Sequence, residues 1–228
     1  MAPDPMTFRR ARRPEHKQQR YEAILAAARS QGLLKGVRNV SLADIAAEVG
    51  VHKSALLRYF ETREEIYLHL TAEGWRDWAD AMRGDLAQLP VGSVAGVAAL
   101  IARTLADRPL LCDLMTHAPL TLERNVSLEA VRSFKLAGLA ALADVTVLIL
   151  RVLPALTDDD VRDLVWAVTA VAAGLWQVTH PPATLVALYA EDPRLGHAQV
   201  EFTPSLQRLV EVVLTGLLKR EPGGECIP

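Results

Sequence analysis

The chain has 228 residues, of which half are hydrophobic, and a formal net charge of −2. This composition excludes wholesale disorder and provides enough apolar surface for one large domain or two modest ones. The two cysteines, Cys112 and Cys226, form neither a disulfide framework nor a metal-ligand spacing, which favours a reducing cytoplasm as the location.

Basic residues are concentrated near the N-terminus. Residues 1–60 contain eleven Lys or Arg and five Asp or Glu, whereas the remaining residues contain 14 basic and 22 acidic ones. This asymmetry indicates a polyanion-binding module joined to a second part, with an uneven but solvated surface as the alternative. Residues 1–14 hold three prolines and four arginines and are predicted to form a flexible basic arm. No secretory signal is expected, since Met1–Arg20 lacks an apolar core.

The spacing of apolar residues predicts an all-α fold of about nine helices, because no stretch shows sustained alternation. The first three helices are expected at about 16–34, at Leu42–Val49 after the N-cap Ser41, and at Lys53–Tyr59. A long helix follows from Arg63 to Leu89, and others are expected at about 93–106, 109–116, 127–153, 158–180 and 204–219. Thr157 with Asp160, and Thr203 with Pro204, mark the starts of the last two helices.

One uncharged segment, Leu164–Ala190, is long enough to be considered as a membrane span. Pro181 and Pro182 interrupt it, so that a helix buried against its own domain and a partner subunit is the favoured interpretation.

The two short helices lie on either side of a turn, Gly50-Val51-His52, and this is the spacing of a helix-turn-helix. Val49, Val51 and Leu56 are expected to hold the two helices together. Lys53, Ser54 and Arg58 are expected to point outward, toward phosphates and base edges. A generic helical hairpin would have the same glycine turn, so the spacing alone leaves DNA binding open.

From Arg20 to about Leu70 the sequence resembles the TetR family of bacterial transcriptional regulators. The resemblance rests on more than ten positions that fall in register without a gap: Ile24-Leu25, Ala27-Ala28, Gly36, Ser41, Ile45-Ala46, Val49-Gly50-Val51, Leu56, Tyr59-Phe60, Thr62-Arg63-Glu64 and Ile66. It implies an N-terminal three-helix DNA-binding domain and a C-terminal helical domain for ligand binding and dimerisation. The expected partition is an arm at 1–14, a helix-turn-helix domain at 15–62, a helical domain at 63–220 and a tail at 221–228.

The resemblance also implies roles for single residues. Ser41 is expected to contact a backbone phosphate, Lys53, Ser54 and Ala55 to face the bases, and Tyr59 and Arg63 to clamp phosphate. His52 replaces the usual serine or threonine cap of the recognition helix, and Leu57 stands where many members have a phosphate-contacting tyrosine. His52 and Arg58 complete the set of candidate DNA contacts, and Arg58 is expected to compensate for Leu57. The N-terminal arginines resemble arms that other members place along the minor groove or the backbone.

For the second domain, the resemblance implies a homodimer through the helices at about 158–180 and 204–219. An ordinary intrachain core is the alternative for these helices. It also implies an effector pocket, whose candidate lining residues are Trp78, Met82, Cys112, Met115, His117, Phe134, Trp166 and Trp176. Core packing is the alternative role for each of them, since Trp and Met are common space-fillers.

The sequence therefore predicts a cytoplasmic, homodimeric regulator that binds double-stranded DNA and a small lipophilic or aromatic effector. Repression is the default expectation, with activation as the alternative. An all-helical enzyme and a membrane-associated scaffold are the competing classes. The sequence holds no Gly-rich phosphate loop, no nucleophile with an evident base and no paired metal ligands, so that no catalytic residue, metal or cofactor is expected.

Overall fold

The computed structural model describes residues 5–192, 194–195 and 200–220, with side chains from residue 16 onward. Within these ranges the chain folds into ten α-helices and no strand, which confirms the all-α prediction. The helices are α1 Pro5–Lys35, α2 Leu42–Val49, α3 Lys53–Leu56, α4 Arg63–Leu86, α5 Val94–Ala106, α6 Pro109–His117, α7 Leu128–Val152, α8 Asp158–Thr179, α9 Ala183–Glu191 and α10 Phe202–Leu218. A 3₁₀ turn, Val37–Asn39, joins α1 to α2, and a π-helical turn, Ala118–Leu122, follows α6.

Where a side chain caps the start of a helix, the helix begins at the predicted residue. Ser41 and Thr157 each form a reciprocal capping box with the aspartate three residues later, and Thr62 accepts a hydrogen bond from the Glu65 amide (3.1 Å). Each cap satisfies one amide that the first helical turn would otherwise leave without a partner.

Four helix boundaries differ from the prediction. The backbone of α1 is helical from Pro5, so that the segment predicted as a flexible arm is helix over most of its length. Pro5 is tolerated there because the first residue of a helix needs no amide partner. α3 ends at Leu56 rather than Tyr59 and continues as hydrogen-bonded turns, and α4 ends at Leu86 rather than Leu89.

α10 begins one residue before its predicted cap, at Phe202, whose buried ring packs edge-on against Trp176 (centroids 5.3 Å apart). The tenth helix, α9, has no counterpart in the prediction. It follows Pro181-Pro182 and has no buried residue. Its apolar residues run consecutively from Leu185 to Ala190, so the sequence shows no one-sided helical period. The Pro-Pro break ends α8 within the uncharged segment 164–190, as predicted, and α9 follows it.

The long helix α4 belongs to two hydrophobic clusters. Its first half, with Ile66, Tyr67 and Leu70 buried, packs with α1, α2 and α3. Its second half, with Trp78, Met82 and Leu86 buried, packs with α5, α7, α8 and α10. A displacement of α4 therefore has to act on both clusters.

Among the described helices, α7 is the one that is long and apolar enough by composition to cross a bilayer. It packs along α4 through Phe134, Val145, Ile149 and Val152.

Candidate nucleic-acid interface and effector domain

The first of the two short helices, α2, is fixed at its N-terminus by two reciprocal hydrogen bonds. The Ser41 hydroxyl accepts from the Asp44 amide (3.2 Å), and the Asp44 carboxylate accepts from the Ser41 amide (2.8 Å). Hydrogen bonds from Ser41 and Lys35 hold the pKa of Asp44 well below its usual range. Ser41 is exposed, so a surface residue occupies the predicted phosphate-contacting position, with its hydroxyl engaged in the cap.

The second short helix, α3, presents polar side chains to solvent. Gly50 ends α2 in the left-handed conformation (φ 72°), which favours glycine. On the inner side of α3, Leu56 is fully buried, whereas Lys53 and Ser54 are exposed. His52 is also exposed, and its side chain makes no hydrogen bond to the amides of α3. The imidazole therefore does not replace the serine or threonine cap.

The remaining residues of the motif divide between the surface and the core. Val49 and Val51 pack against the buried cluster that contains Leu56, as predicted for residues that join the two helices. Arg58 and Leu57 are exposed, and Ala55 and Tyr59 are half-buried.

A large open groove runs between α1 and α3. Its volume is about 780 Å³, and its rim includes the cationic side chains of Lys17, Arg20 and Arg58, with His16 and Tyr59 beside them. No carboxylate belongs to the described lining of this groove, which we call the basic groove. The arrangement favours an anionic backbone beside the exposed side of α3.

Arg63 faces the protein rather than solvent, with a side chain 16% exposed. Its Nη1 donates to the carbonyl oxygens of Val37 (3.0 Å) and Val40 (3.1 Å), and its guanidinium lies over the Tyr67 ring (5.3 Å to the centroid). In this structure Arg63 thus holds the turn that precedes α2, and its expected phosphate contact would require these bonds to rearrange.

The same turn is bound from the other domain by Asp113 of α6. One carboxylate oxygen accepts from the Val37 amide (2.7 Å), and the other accepts from Gln177 of α8 (2.9 Å), with His117 Nε2 3.5 Å away. Burial pushes the pKa of Asp113 upward, but the bonds from His117, Val37 and Gln177 outweigh it and leave the pKa below its usual value. The Asp113 carboxylate therefore links α8 to the N-terminal three-helix domain.

The second domain encloses a small apolar cavity. It is lined mainly by Trp75 and Trp78 of α4, Ile101 of α5, Ile149 of α7 and Leu164 and Val168 of α8. Its volume is only about 10 Å³, about the room that one water molecule needs. A molecule larger than water would fit here only if the helices that line the cavity moved apart.

The predicted effector-binding residues do not converge on one pocket. Trp78 lines the cavity and donates to Thr104 (3.0 Å), and Met82 and Met115 are buried in the same cluster. Phe134 belongs instead to the cluster that contains α1, α2 and α3, and His117 lies at the junction beside Asp113.

Three further candidates lie apart from the cavity. Cys112 is buried, and burial raises the pKa of its thiol to about 12. The thiol therefore stays protonated at neutral pH. Trp176 stacks on His180 (centroids 3.7 Å apart). Trp166 is 73% exposed and does not line the cavity, because α8 buries Val161, Leu164 and Val168 on its opposite side.

Two family models match adjacent parts of the chain. The model for bacterial regulatory proteins of the tetR family matches residues 24–70, and the model for the tetracyclin repressor-like C-terminal domain matches residues 72–221. The chain belongs to the TetR family. No curated protein sequence matches it.

Solved TetR-family structures share the fold at low sequence identity. A putative regulator from Mesorhizobium loti is 16% identical, with 89% of this chain and 96% of that chain covered, at a TM-score of 0.51. The fatty acid degradation regulator FadR of Bacillus halodurans is 14% identical, with 86% and 99% covered, at a TM-score of 0.55. FadR of Thermus thermophilus, a repressor in complex with lauroyl-CoA, is 17% identical, with 90% and 100% covered, at 0.53.

For a TetR-family chain, the structure adds residues that the motif did not reveal. Lys17 and Arg20 lie at the start of the family resemblance or before it, and the fold brings them to the same groove as residues of α3. In the sequence, only the excess of basic residues in the first 60 positions indicates that Lys17 and Arg20 take part in binding a polyanion. Asp113 and Val37 are 76 positions apart, and no local pattern pointed to their contact.

Proposed function

We propose that this TetR-family regulator is a homodimeric repressor that binds an operator through α3 and the basic groove and leaves it when a lipophilic effector binds. The observation that supports this most strongly is the exposed set Lys53, Ser54 and Arg58, which adjoins a groove lined by Lys17 and Arg20. Lys53 and Ser54, with the half-buried Ala55, would meet base edges. The groove cations would neutralise phosphates.

Ser41 and Tyr59 remain proposed phosphate contacts. His52 is exposed next to Lys53 and is proposed to approach the DNA without supporting the helix. Arg63 is proposed to position the helix-turn-helix through the Val37 and Val40 carbonyls, with phosphate contact as its second possible role.

The dimer would form through α8 and α10. Their outward sides carry Trp166, Ala170, Gly174 and Val178 on α8 and Leu209, Val212 and Gly216 on α10, all exposed in the single chain. Small residues on one helix and branched ones on the other allow close packing into a four-helix contact. A two-fold dimer would present two recognition helices to paired half-sites about one DNA turn apart.

A fatty acyl chain is the effector class best supported for the second domain. The cavity is lined almost wholly by aromatic and aliphatic side chains, and the structural relatives include a fatty acid degradation regulator and a repressor in complex with lauroyl-CoA. A fatty acyl chain is much larger than this cavity, so it would bind only to a state of the protein in which the cavity is open. It would therefore favour that state by its difference in affinity for the two states.

Two connections would carry the change to the DNA. α4 enters both hydrophobic clusters, and Asp113 binds the Val37 amide while accepting from Gln177 of α8. Movement of α8 away from α4 would shift both connections and with them the separation of the recognition helices.

The alternatives are an activator of the same fold and, more remotely, a helical enzyme. TetR-family regulators are in general DNA-binding proteins without enzymatic activity, and a regulator of this kind would act in the cytoplasm. No catalytic group is proposed.

Footprinting on the DNA upstream of the protein's own gene tests this proposal. We expect protection of a near-palindrome by the purified chain, and loss of protection when lauroyl-CoA is added. Protection that lauroyl-CoA leaves intact would refute the acyl effector but not the operator. Transcription that rises with bound protein would show an activator, and absence of protection on any genomic fragment would refute the proposal.

A further inference from the structure

The outward side of α7 carries an apolar stripe with no partner in the single chain. Leu128, Leu136, Leu139 and Val147 are 73%, 59%, 68% and 67% exposed. Together with Arg132 and Ala143, which are also exposed, they form a row at steps of four, four, three, four and four residues. These steps keep all six side chains on one face of a helix. We call this row the α7 stripe.

The α7 stripe is not the scattered exposure that most proteins show. Large apolar residues that are exposed singly are ordinary, whereas a contiguous apolar face marks an interaction site. α7 packs on α4 with its opposite side, through Phe134, Val145 and Ile149, so the stripe runs along an outer helix of the domain. An outer helix is accessible to a second helix along its length.

The sequence of steps is the same from either end of the row, so the stripes of two antiparallel copies match large apolar residue to large apolar residue. In an antiparallel pair of α7 helices related by a two-fold axis between positions 137 and 138, Leu128 lies opposite Val147 of the second copy. Leu136 lies opposite Leu139 in the same register. A contact of this kind is isologous, because one surface serves both subunits.

The charged residue in the stripe fits the same register. Arg132 lies opposite Ala143, whose methyl group leaves room for the arginine stem, and Asp144 is the next residue along. In the single chain Arg132 pairs with Glu129 (3.0 Å) and Asp144 with Arg83 (2.9 Å), both at exposed positions. Exposed pairs contribute little, so exchanging them for an Arg132–Asp144 pair across the two-fold axis has a small cost. A parallel pair would instead place Arg132 against Arg132.

We propose that the α7 stripe binds a second copy of this chain, helix against helix in antiparallel register. This contact uses other residues than the proposed α8 and α10 face. The expected assembly beyond a dimer rests on that proposed dimer, but not on the proposed operator or effector. With both faces in use, the protein would assemble beyond a dimer, and two dimers would be able to associate on DNA. A lipid surface is the less favoured occupant, because Arg132 lies within the stripe and would have to be buried with it.

Cysteine cross-linking in the full-length chain tests the register. The background is Cys226→Ser, with Cys112 retained because it is buried. Two copies of Leu139→Cys would be offset by only about 4.5 Å along the helix axis, whereas two copies of Leu128→Cys would be offset by about 28 Å. We expect Leu139→Cys to form a covalent pair under mild oxidation. Leu128→Cys should do so only when mixed with Val147→Cys.

Cross-linking of Leu128→Cys with itself and not with Val147→Cys would overturn the antiparallel register. Absence of covalent pairs in all three variants would overturn the contact.

Sedimentation velocity over a range of protein concentrations tests the assembly. We expect wild-type protein to form a species larger than a dimer, and Leu136→Glu/Leu139→Glu to remove that species. Val91→Glu, an equally exposed apolar residue in the loop after α4, is the matched control and should leave it unchanged. Retained helical signal and melting temperature would show that the double variant folds.

Two results would overturn the proposal. One is an assembly that the double variant leaves unaltered. The other is a wild-type dimer that does not grow with concentration but floats with vesicles of phosphatidylethanolamine and phosphatidylglycerol, which would assign the stripe to lipid. Operator binding by the double variant is measured in parallel, so a failure of the α7 contact stays distinct from a failure of DNA binding.

Discussion

Asp113 connects α6 directly to the turn before α2. Its two oxygens accept from the Val37 amide and from Gln177, and its side chain is largely shielded from solvent. An acceptor at this place is ionised at neutral pH, and hydrogen bonds to a charged group are stronger than those between neutral groups.

Replacing Asp113 with alanine should leave the Val37 amide and the Gln177 amide group without their partner. We expect a loss of about 1.5–3 kcal/mol in the free energy of unfolding, measured by urea denaturation, and faster amide exchange at Val37. Asp113→Asn retains one acceptor oxygen and should lower the free energy of unfolding by less. Equal losses for both variants would mean that the charge, and not the acceptor, is what matters.

The lowered pKa of Asp113 gives this contribution a defined pH dependence. A carboxyl whose folded pKa lies below its unfolded value stabilises the fold above the unfolded pKa, near 4, and loses that effect as pH falls through the folded pKa. The difference in unfolding free energy between wild type and Asp113→Asn should therefore be constant near neutral pH and shrink below about pH 4. Asp44 also has a lowered pKa, but it is present in both proteins and cancels. A difference that stays constant into acid would contradict this assignment.

His52 lies at the cap position of α3 without a side-chain bond to the helix. His52→Ser should supply the missing acceptor and stabilise the domain by about 0.5–1 kcal/mol, with slower amide exchange in α3. His52→Ala is the matched control and should change the stability little, because the imidazole makes no cap bond to lose. A destabilised serine variant would show that the imidazole has a partner other than the helix.

At the scale of the helices, the sequence predicted those helix starts that depend on a side chain within the same turn. The starts of α2, α4 and α8 follow from Ser41, Thr62 and Thr157, whose hydroxyl oxygens each accept from the amide three residues later. α9 was missed because it buries nothing, and the start of α10 was displaced because Phe202 is fixed by a contact with Trp176 rather than by a cap.

The site was predictable where exposure follows from helical period and not where it depends on distant contacts. Lys53, Ser54 and Arg58 are exposed whereas Leu56 is buried, and the spacing of the motif alone predicts this division. The family resemblance implies a phosphate contact for Arg63, whereas in the structure Arg63 binds the Val37 and Val40 carbonyls, and no pattern in the sequence distinguishes the two kinds of acceptor. Trp166 was assigned to the effector pocket because its residue type suits one, whereas its position on α8 turns it outward.

The outward sides of α8 and α10 give a prediction of their own. Trp166→Glu/Val212→Glu should dissociate the proposed dimer and weaken operator binding at least about tenfold, since a charge in the core of an interface lacks a partner. Light scattering coupled to size exclusion measures the mass, with Val91→Glu as the control at a similarly exposed apolar site. A double variant that remains dimeric would place the dimer contact elsewhere.

For the whole molecule, two clusters share α4 and are also joined by the Asp113 contact. An effector that opens the cavity beside Trp78 is therefore expected to act on the DNA-binding domain through packing and through one carboxylate. Such coupling is reciprocal: if lauroyl-CoA lowers operator affinity, operator DNA must lower lauroyl-CoA affinity by the same factor.

The salt dependence of operator affinity tests the central claim, that DNA is bound by α3 and the basic groove, most directly. The comparison is between wild type, Lys53→Ala/Arg58→Ala, and a control that also removes two exposed cations, Arg83→Ala/Arg103→Ala, at the far end of the second domain. We predict that the first variant loses at least about 100-fold in affinity at about 0.1 M salt, with a shallower dependence on salt. The control should stay within about twofold of wild type. Equal losses in both variants, or none in either, would contradict the assignment of α3 and the basic groove as the DNA-binding surface.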